Sequence, residues 1–305
     1  MTQHADLPVG SADVLPRLAA RAWPARAALR TATRTVTFAG LDREVSRLAF
    51  GLRQWVGGDG LPVVVSAVLG PDFPVALHAV LRSGNVAAPV NPRMPAATFA
   101  RVLHTLRPCA VVLGRVMYDR VRPVLARHAG VEVLLLDGPA DGRLTCAELA
   151  SRGGLLVEPR DRDEHEPAVL AGGRTLTHHD VKARAHAAAL TGGLGAASVV
   201  LNATPAYHLD HLGAGLAAGA TQVLFGNPDP AAAAREAARV GATHLCAPGA
   251  DNEQCEPAES VMDEPSARRP HLRGTGRKPA TGACRTGGHR LEPATRVKSG
   301  EAEWS

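Results

Sequence analysis

Lysine is almost missing from this chain. Of 34 basic residues only Lys182, Lys278 and Lys298 are lysines, and the rest are arginines. Aromatic residues are nearly as scarce, at 3%. Heavy use of Ala, Gly, Pro and Arg alongside them reads as the mark of a GC-rich coding sequence, not of a basic function. The formal net charge is +5, from 34 basic and 29 acidic residues, and no block of one sign stands out. A nucleic-acid partner is therefore not expected. The five cysteines are odd in number and widely spaced, with no Cys-x-x-Cys pair. That argues against a disulfide framework or a structural zinc site and fits a reducing compartment. No apolar run approaches the ~20 residues that a bilayer span needs. The opening Met-Thr-Gln-His-Ala-Asp lacks the charged and apolar regions of a signal peptide. The expectation is a soluble cytoplasmic protein.

What is present is a long alternation of strand-like and helix-like segments. Leu41, Val45, Leu48 and Leu52 share one helical face. The run 61–69 that follows is apolar and rich in β-branched residues, as a buried strand requires. Helices near 75–81, 96–106 and 116–128 then alternate with strands at 86–90, 109–113 and 131–136. After a polar stretch the pattern resumes, with strands at 198–202, 221–225 and 243–246 and helices at 210–218 and 229–240. Strands separated by helices of this length predict an α/β fold of parallel βαβ units, with helices on both sheet faces. The organisation expected is a first α/β subdomain over 10–140, a linker over 141–165, and a second, incomplete α/β subdomain over 166–250. The remaining residues, 251–305, have few large apolar side chains and no periodicity, so they are expected to be disordered, or to be a frameshift-like tail.

Four segments carry a resemblance. They are Thr35 to Leu52, with its Thr-Val-Thr-Phe start and Arg-Leu-Ala core; Arg82-Ser-Gly-Asn-Val-Ala-Ala-Pro-Val-Asn-Pro92; Leu201 to Leu224, containing Pro205-Ala-Tyr-His208 and Gly219-Ala-Thr-Gln-Val-Leu224; and Thr243-His-Leu-Cys-Ala-Pro248. Each alone is weak, but their order over about 215 residues is that of one family. The chain resembles the N-terminal half of the adenylate-forming (AMP-binding) superfamily, which includes acyl- and aryl-CoA ligases. The resemblance implies ATP-dependent activation of a carboxylic acid to an acyl-adenylate, then transfer to coenzyme A or a carrier thiol. It implies ATP, Mg²⁺ and coenzyme A as the family's cofactors. It also places Tyr207 and His208 at the wall of a pocket for a small carboxylic acid.

The departures are as informative. Between a strand-like entry at 166–171 and the helix start at Thr177-His178, the family carries a Gly/Ser/Thr-rich phosphate loop ending in Pro-Lys-Gly. Here only Gly172, Gly173 and Arg174 remain as a loop remnant, with Thr177 after them. Three residues cannot wrap a triphosphate with backbone N–H groups. Lys182 falls on the wrong side of the motif, and Lys278 and Lys298 stand isolated. The tail segment 274–282 imitates the loop but is out of order and follows no strand. None of ATP, Mg²⁺ or coenzyme A is expected to be retained, and no catalytic residue is identified. A turn through Gly172-Gly173 is expected instead, with Thr177 capping the helix. His208 reads equally as a pocket wall or as a histidine at a helix start. His178 and His179 are adjacent and cannot face one another on a helix. His208 and His211 lack a third ligand, as do Cys284 and His289, so no metal site is expected. Two functions stay open: a ligase-like protein that does not adenylate, and a non-catalytic scaffold that pairs with a full-length ligase or with itself through exposed apolar surface.

Overall fold

The computed structural model describes residues 7–154 and 162–246, apart from Pro205 and Pro228, and the backbone of Glu256 and Pro257. Along the chain come α1 (Val14–Ala22), β1 (Ala27–Arg30), β2 (Thr35–Thr37), α2 (Phe38–Val56), β3 (Pro62–Ser66), α3 (Asp72–Ser83) and β4 (Val86–Val90). They are followed by α4 (Ala96–Leu106), β5 (Ala110–Leu113), α5 (Arg115–Leu125), β6 (Glu132–Leu135), β7 (Leu144–Thr145) and α6 (Cys146–Ser151). The rest comprises β8 (Pro167–Ala171), β9 (Arg174–Thr177), α7 (His178–Thr191), β10 (Val199–Asn202), α8 (Leu209–Ala218), β11 (Thr221–Leu224), α9 (Pro230–Val240), β12 (His244–Cys246) and β13 (Glu256–Pro257). The α/β class with parallel-rich sheets flanked by helices is the one the sequence predicts.

Two sheets form. The first has the order β7-β6-β5-β3-β4-β8-β9, parallel except for the β8–β9 pair. The second has the order β13-β12-β10-β11-β1-β2, parallel from β12 to β1 with an antiparallel strand at either edge. Strand alternation explains why the first sheet is covered on both faces. Val63 and Val65 of β3 enter one apolar cluster with α2 and α3, while Val64 between them enters another with Phe99 of α4 and Met117 of α5. The stripe of α2 (Phe38, Leu41, Val45, Leu48 and Leu52) is buried as its spacing requires. Thr37 caps this helix by accepting from the Gly40 N–H at 3.0 Å.

The segment 141–165, read from sequence as a linker, carries β7 and α6, the latter begun by a capping box between Thr145 and Glu148. Of the 251–305 tail only the backbone of residues 256 and 257 is described, so that expectation otherwise lies outside the described residues. Cys109 and Cys146 are free thiols, but Cys246 at the end of β12 is disulfide-bonded. One bonded cysteine is not the framework that the spacing argued against, and no motif in the sequence marks Cys246. Among the described residues no helix is long and apolar enough to cross a membrane.

Two histidines are buried in the first sheet's surroundings. His78, in α3, is 2% exposed, and neither ring nitrogen has a hydrogen-bond partner. Burial, reinforced by the charge of Arg82, lowers its pKa to about 3. His178 is lowered to about 4, chiefly by burial, and its Nδ1 accepts the Ala12 N–H at 3.1 Å. Both folded values lie below the unfolded 6.5, so the unfolded chain takes up these protons first. Their stabilisation is whole above pH 6.5 and is lost progressively as pH falls from there toward 4 and 3. For His78 the full span, from 6.5 to about 3, amounts to roughly 5 kcal/mol at about 1.36 kcal/mol per pKa unit. Urea midpoints measured between pH 7 and 4.5, above the main carboxylate range, are expected to fall steadily. His78→Leu should flatten the slope, and a pH-independent midpoint in the parent protein would refute the assignment.

Candidate functional site

The join between β8 and α7 is built around a hairpin. Ala171 pairs with Arg174 and Leu170 with Thr175, leaving only Gly172 and Gly173 as the loop. Their φ values are 56° and 71°. A two-residue hairpin turn of the primed type needs positive φ at both central positions, which glycine alone adopts freely. Thr177 ends β9 and begins α7: its hydroxyl accepts the Asp180 N–H at 3.1 Å, and Asp180 accepts the Thr177 N–H at 2.9 Å. The chain thus passes from strand to strand to helix with no loop long enough to enclose a ligand. Arg174 and Thr175 are exposed on the outer strand.

Just beyond this hairpin two polar residues of α7, His178 and Lys182, point inward. Lys182 is fully buried, and its Nζ donates to the carbonyls of Pro8 and Gly10 at 2.6 and 2.7 Å and to Glu164 at 3.0 Å. The one lysine near the remnant therefore clamps the N-terminal segment onto α7. Its charge and hydrogen bond hold the Glu164 carboxyl below the usual range. His178 faces that same segment, while His179 points outward, 3.8 Å from Glu164. Among the described residues no group of three His, Cys, Asp or Glu could hold a metal ion.

The second constellation sits at the start of α8. Tyr207 is 4% exposed, and its hydroxyl donates to Gln222 Oε1 at 2.7 Å. Burial pushes its phenol well above the ordinary range. Its ring lies 5.8 Å from that of Phe73, and its N–H donates to the Ala67 carbonyl, so it ties α8 to the end of β3. Gln222 in turn donates to the Leu212 carbonyl and accepts from Asn202. Gly215 makes room for this network, since a Cβ there would lie 2.1 Å from Gln222 Nε2. At Gly213 a Cβ would lie 2.7 Å from the Ala185 side chain, which lets α7 and α8 pack closely. His208 occupies the N-cap position of α8, half-buried, with its ring 5.2 Å from that of the buried His211. Arg184 and Asp210 form a two-pronged ion pair across the two helices.

The structure thus brings Tyr207, His208 and His211 together around the first turn of α8. Gly172, Gly173, Arg174 and Thr177 lie in the separate hairpin. Gln222 and Asn202 were not singled out from sequence. A signal that could have pointed to Gln222 is Gly215, a glycine inside a helix that marks a close approach there, while Gly213 marks a different one, to Ala185 of α7.

Comparison with known proteins bears on both constellations. The family described as AMP-binding enzyme matches residues 17–296. A salicyl-AMP ligase / salicyl-S-ArCP synthetase of Mycobacterium tuberculosis is 28% identical over 249 residues, covering 74% of this chain and 44% of that protein. The apo structure of MbtA from Mycobacterium smegmatis superposes with a TM-score of 0.72 at 30% identity, over 78% of this chain and 48% of that one. An anthranilate CoA ligase, AuaEII, solved with anthranoyl-AMP, shares the fold at TM-score 0.69 and 15% identity, over 80% of this chain and 51% of the other. The chain spans about half the length of these relatives.

Proposed function

From the premise that this chain belongs to the AMP-binding enzyme family, we propose that it is an adenylate-forming ligase-like protein that keeps a carboxylic-acid site and lacks the grip on ATP phosphate. The observation that carries this reading is the two-residue turn at Gly172-Gly173, where the family's phosphate loop belongs. In adenylation a carboxylate oxygen attacks the α-phosphorus while the bond to pyrophosphate breaks. Two anions are brought together, so the reaction depends on donors aimed at the phosphate oxygens. In this reading the turn offers no such cradle, and Lys182 cannot supply one because its three donors are occupied by Pro8, Gly10 and Glu164.

The acid site is assigned to the start of α8. His208 is its polar wall, with His211 beside it, and Tyr207 holds that turn in place through Gln222. Salicylate and anthranilate are the first acids to test, because they belong to the activities named for two relatives. The scaffold reading has less support. Among the described residues the large exposed apolar side chains, Val9, Leu18, Val116 and Leu190, stand on four different segments.

Thermal unfolding with and without ligands separates the parts of this reading. Ligand at a hundredfold excess over Kd stabilises by ~2.7 kcal/mol, a shift of a few degrees for a chain of this size. ATP with Mg²⁺ at millimolar concentration is expected to leave Tm unchanged, and ATP–pyrophosphate exchange should stay at the no-protein level. An aryl acid is expected to raise Tm, and His208→Ala to abolish that rise. Exchange above background, or a clear shift with ATP, would show that another part of the chain replaces the loop.

A further inference from the structure

A cleft of about 490 Å³ lies between α2, α3 and α6, away from both constellations above. That volume is in the range of small-molecule sites. Its floor is apolar: Leu48, Val75, Leu136 and Cys146 line it and are themselves buried. Burial keeps the Cys146 thiol protonated and neutral, with the nearby Asp72 and Asp137 charges adding to the effect.

The position follows from the topology. In the first sheet β3 leads through α3 to β4 on one side, while β5 leads through α5 to β6 on the other. Open parallel sheets bind ligands outside the carboxyl ends of their strands, at the place where the winding direction reverses. Three residues of the cleft belong to that end of the sheet. Asp72 opens the helix that follows β3, Leu136 directly follows β6, and Cys146 directly follows β7.

The rim carries the chemistry. Arg34 donates to both carboxylate oxygens of Glu44 at 2.8 Å and to Asp72 at 3.2 Å. One guanidinium between two carboxylates leaves a net charge of −1 on that side. Arg47 lines the same cleft, three residues along α2 from Glu44, and its guanidinium makes no hydrogen bond or ion pair among the described residues. The four rim charges sum to zero, but Arg34 alone is bonded to both carboxylates while the Arg47 guanidinium stands beside them, above an apolar floor. We propose that this cleft binds an apolar α-amino acid, with its ammonium at Asp72 and Glu44, its carboxylate at Arg47 and its side chain on Leu48, Val75 and Leu136. An anion alone would meet the surplus carboxylate, and a cation alone would leave Arg47 unanswered. The Asp72 carboxyl sits above the usual range: its partial burial raises it, Arg34 opposes the shift, and Glu44 and Asp137 add to it. The inference does not depend on the acid site at α8, whose residues do not line this cleft.

Titration calorimetry of the full chain with L-phenylalanine and L-leucine tests it. Two analogues keep the phenyl body and lose one charge each: 3-phenylpropanoate has no ammonium and phenethylamine no carboxylate. Each is expected to bind at least ~10-fold more weakly than phenylalanine, about 1.4 kcal/mol. Arg47→Gln, at an exposed position, and Asp72→Asn should each weaken phenylalanine by a similar factor, while His208→Ala leaves it unchanged. The proposal is overturned if neither amino acid binds at ~10 mM, a concentration that detects even a weak Kd. It is equally overturned if an analogue binds as well as phenylalanine, or if both rim variants bind like the parent.

Discussion

Arg82→Met is expected to destabilise the protein by about 3–5 kcal/mol, the range for removing one partner of a buried ion pair. Arg82 is 1% exposed, and all its guanidinium nitrogens have partners. Nε donates to Asp13 at 3.0 Å. One terminal nitrogen reaches Ser46 at 2.6 Å and the Asp42 carbonyl at 3.2 Å; the other reaches the Asp42 carboxylate at 2.6 Å and the Asp13 carbonyl at 3.4 Å. Methionine has comparable bulk, so most of the loss comes from the Asp13 carboxylate, which is fully buried and is left with Arg17 at 3.5 Å as its nearest cation. Natural domains hold only about 5–15 kcal/mol in total, so this is a large share. Urea unfolding followed by tryptophan fluorescence measures it. If Arg82→Met does not fold, Asp42→Asn gives the same answer on a smaller scale. Its carboxylate is 28% exposed, so a loss of about 1 kcal/mol is expected. A loss under ~1 kcal/mol for Arg82→Met would mean the cluster is not the clamp described.

Lys182→Met should act on a different tie. The ammonium bonds two backbone carbonyls of the segment before α1 and one carboxylate, and the residue is fully buried. Methionine fills the space but leaves the Pro8 and Gly10 carbonyls without their donor. Charged hydrogen bonds of this kind are worth ~1.5–3 kcal/mol, so a loss of roughly 2–4 kcal/mol is expected. The local effect should be larger than the global one. Limited proteolysis ahead of α1 is expected to accelerate at least ~10-fold, because cleavage follows the population of the opened segment. Unchanged cleavage alongside a lowered urea midpoint would assign Lys182 a general packing role only.

Both residues show where sequence reading stopped. Arg82 opens one of the segments that mark the family, yet nothing local reveals that its partners are Asp13, Asp42 and Ser46, at separations of 36 to 69 residues. Lys182 was noticed because lysine is rare, and could be excluded as a phosphate ligand by its place after Thr177. Two of its three partners, some 172 to 174 residues away, are backbone atoms that no residue type encodes. The parallel strands were legible because they are short, continuous apolar runs between helices. β9 was not: Arg174-Thr-Leu-Thr177 has one apolar residue in four and forms only because β8 offers its edge. At α8, the tyrosine and histidine were visible as a motif. The buried bond from Tyr207 to Gln222 was not, since glutamine in a strand gives no periodic signal.

The placement of β1 has a consequence for how the chain is made. β1 takes its parallel partner from β11, and the Thr221 hydroxyl bonds the Ala27 carbonyl across a separation of 194 residues. At about 5–20 residues per second, a ribosome adds that stretch in roughly 10–40 s. Throughout that interval the β1–β2 ribbon has emerged without the neighbour that completes its sheet, while the βαβ units of the first sheet can already close on themselves. The first strands to be synthesised are thus among the last to be paired, and the newborn chain carries an open ribbon whose cover has not yet been translated.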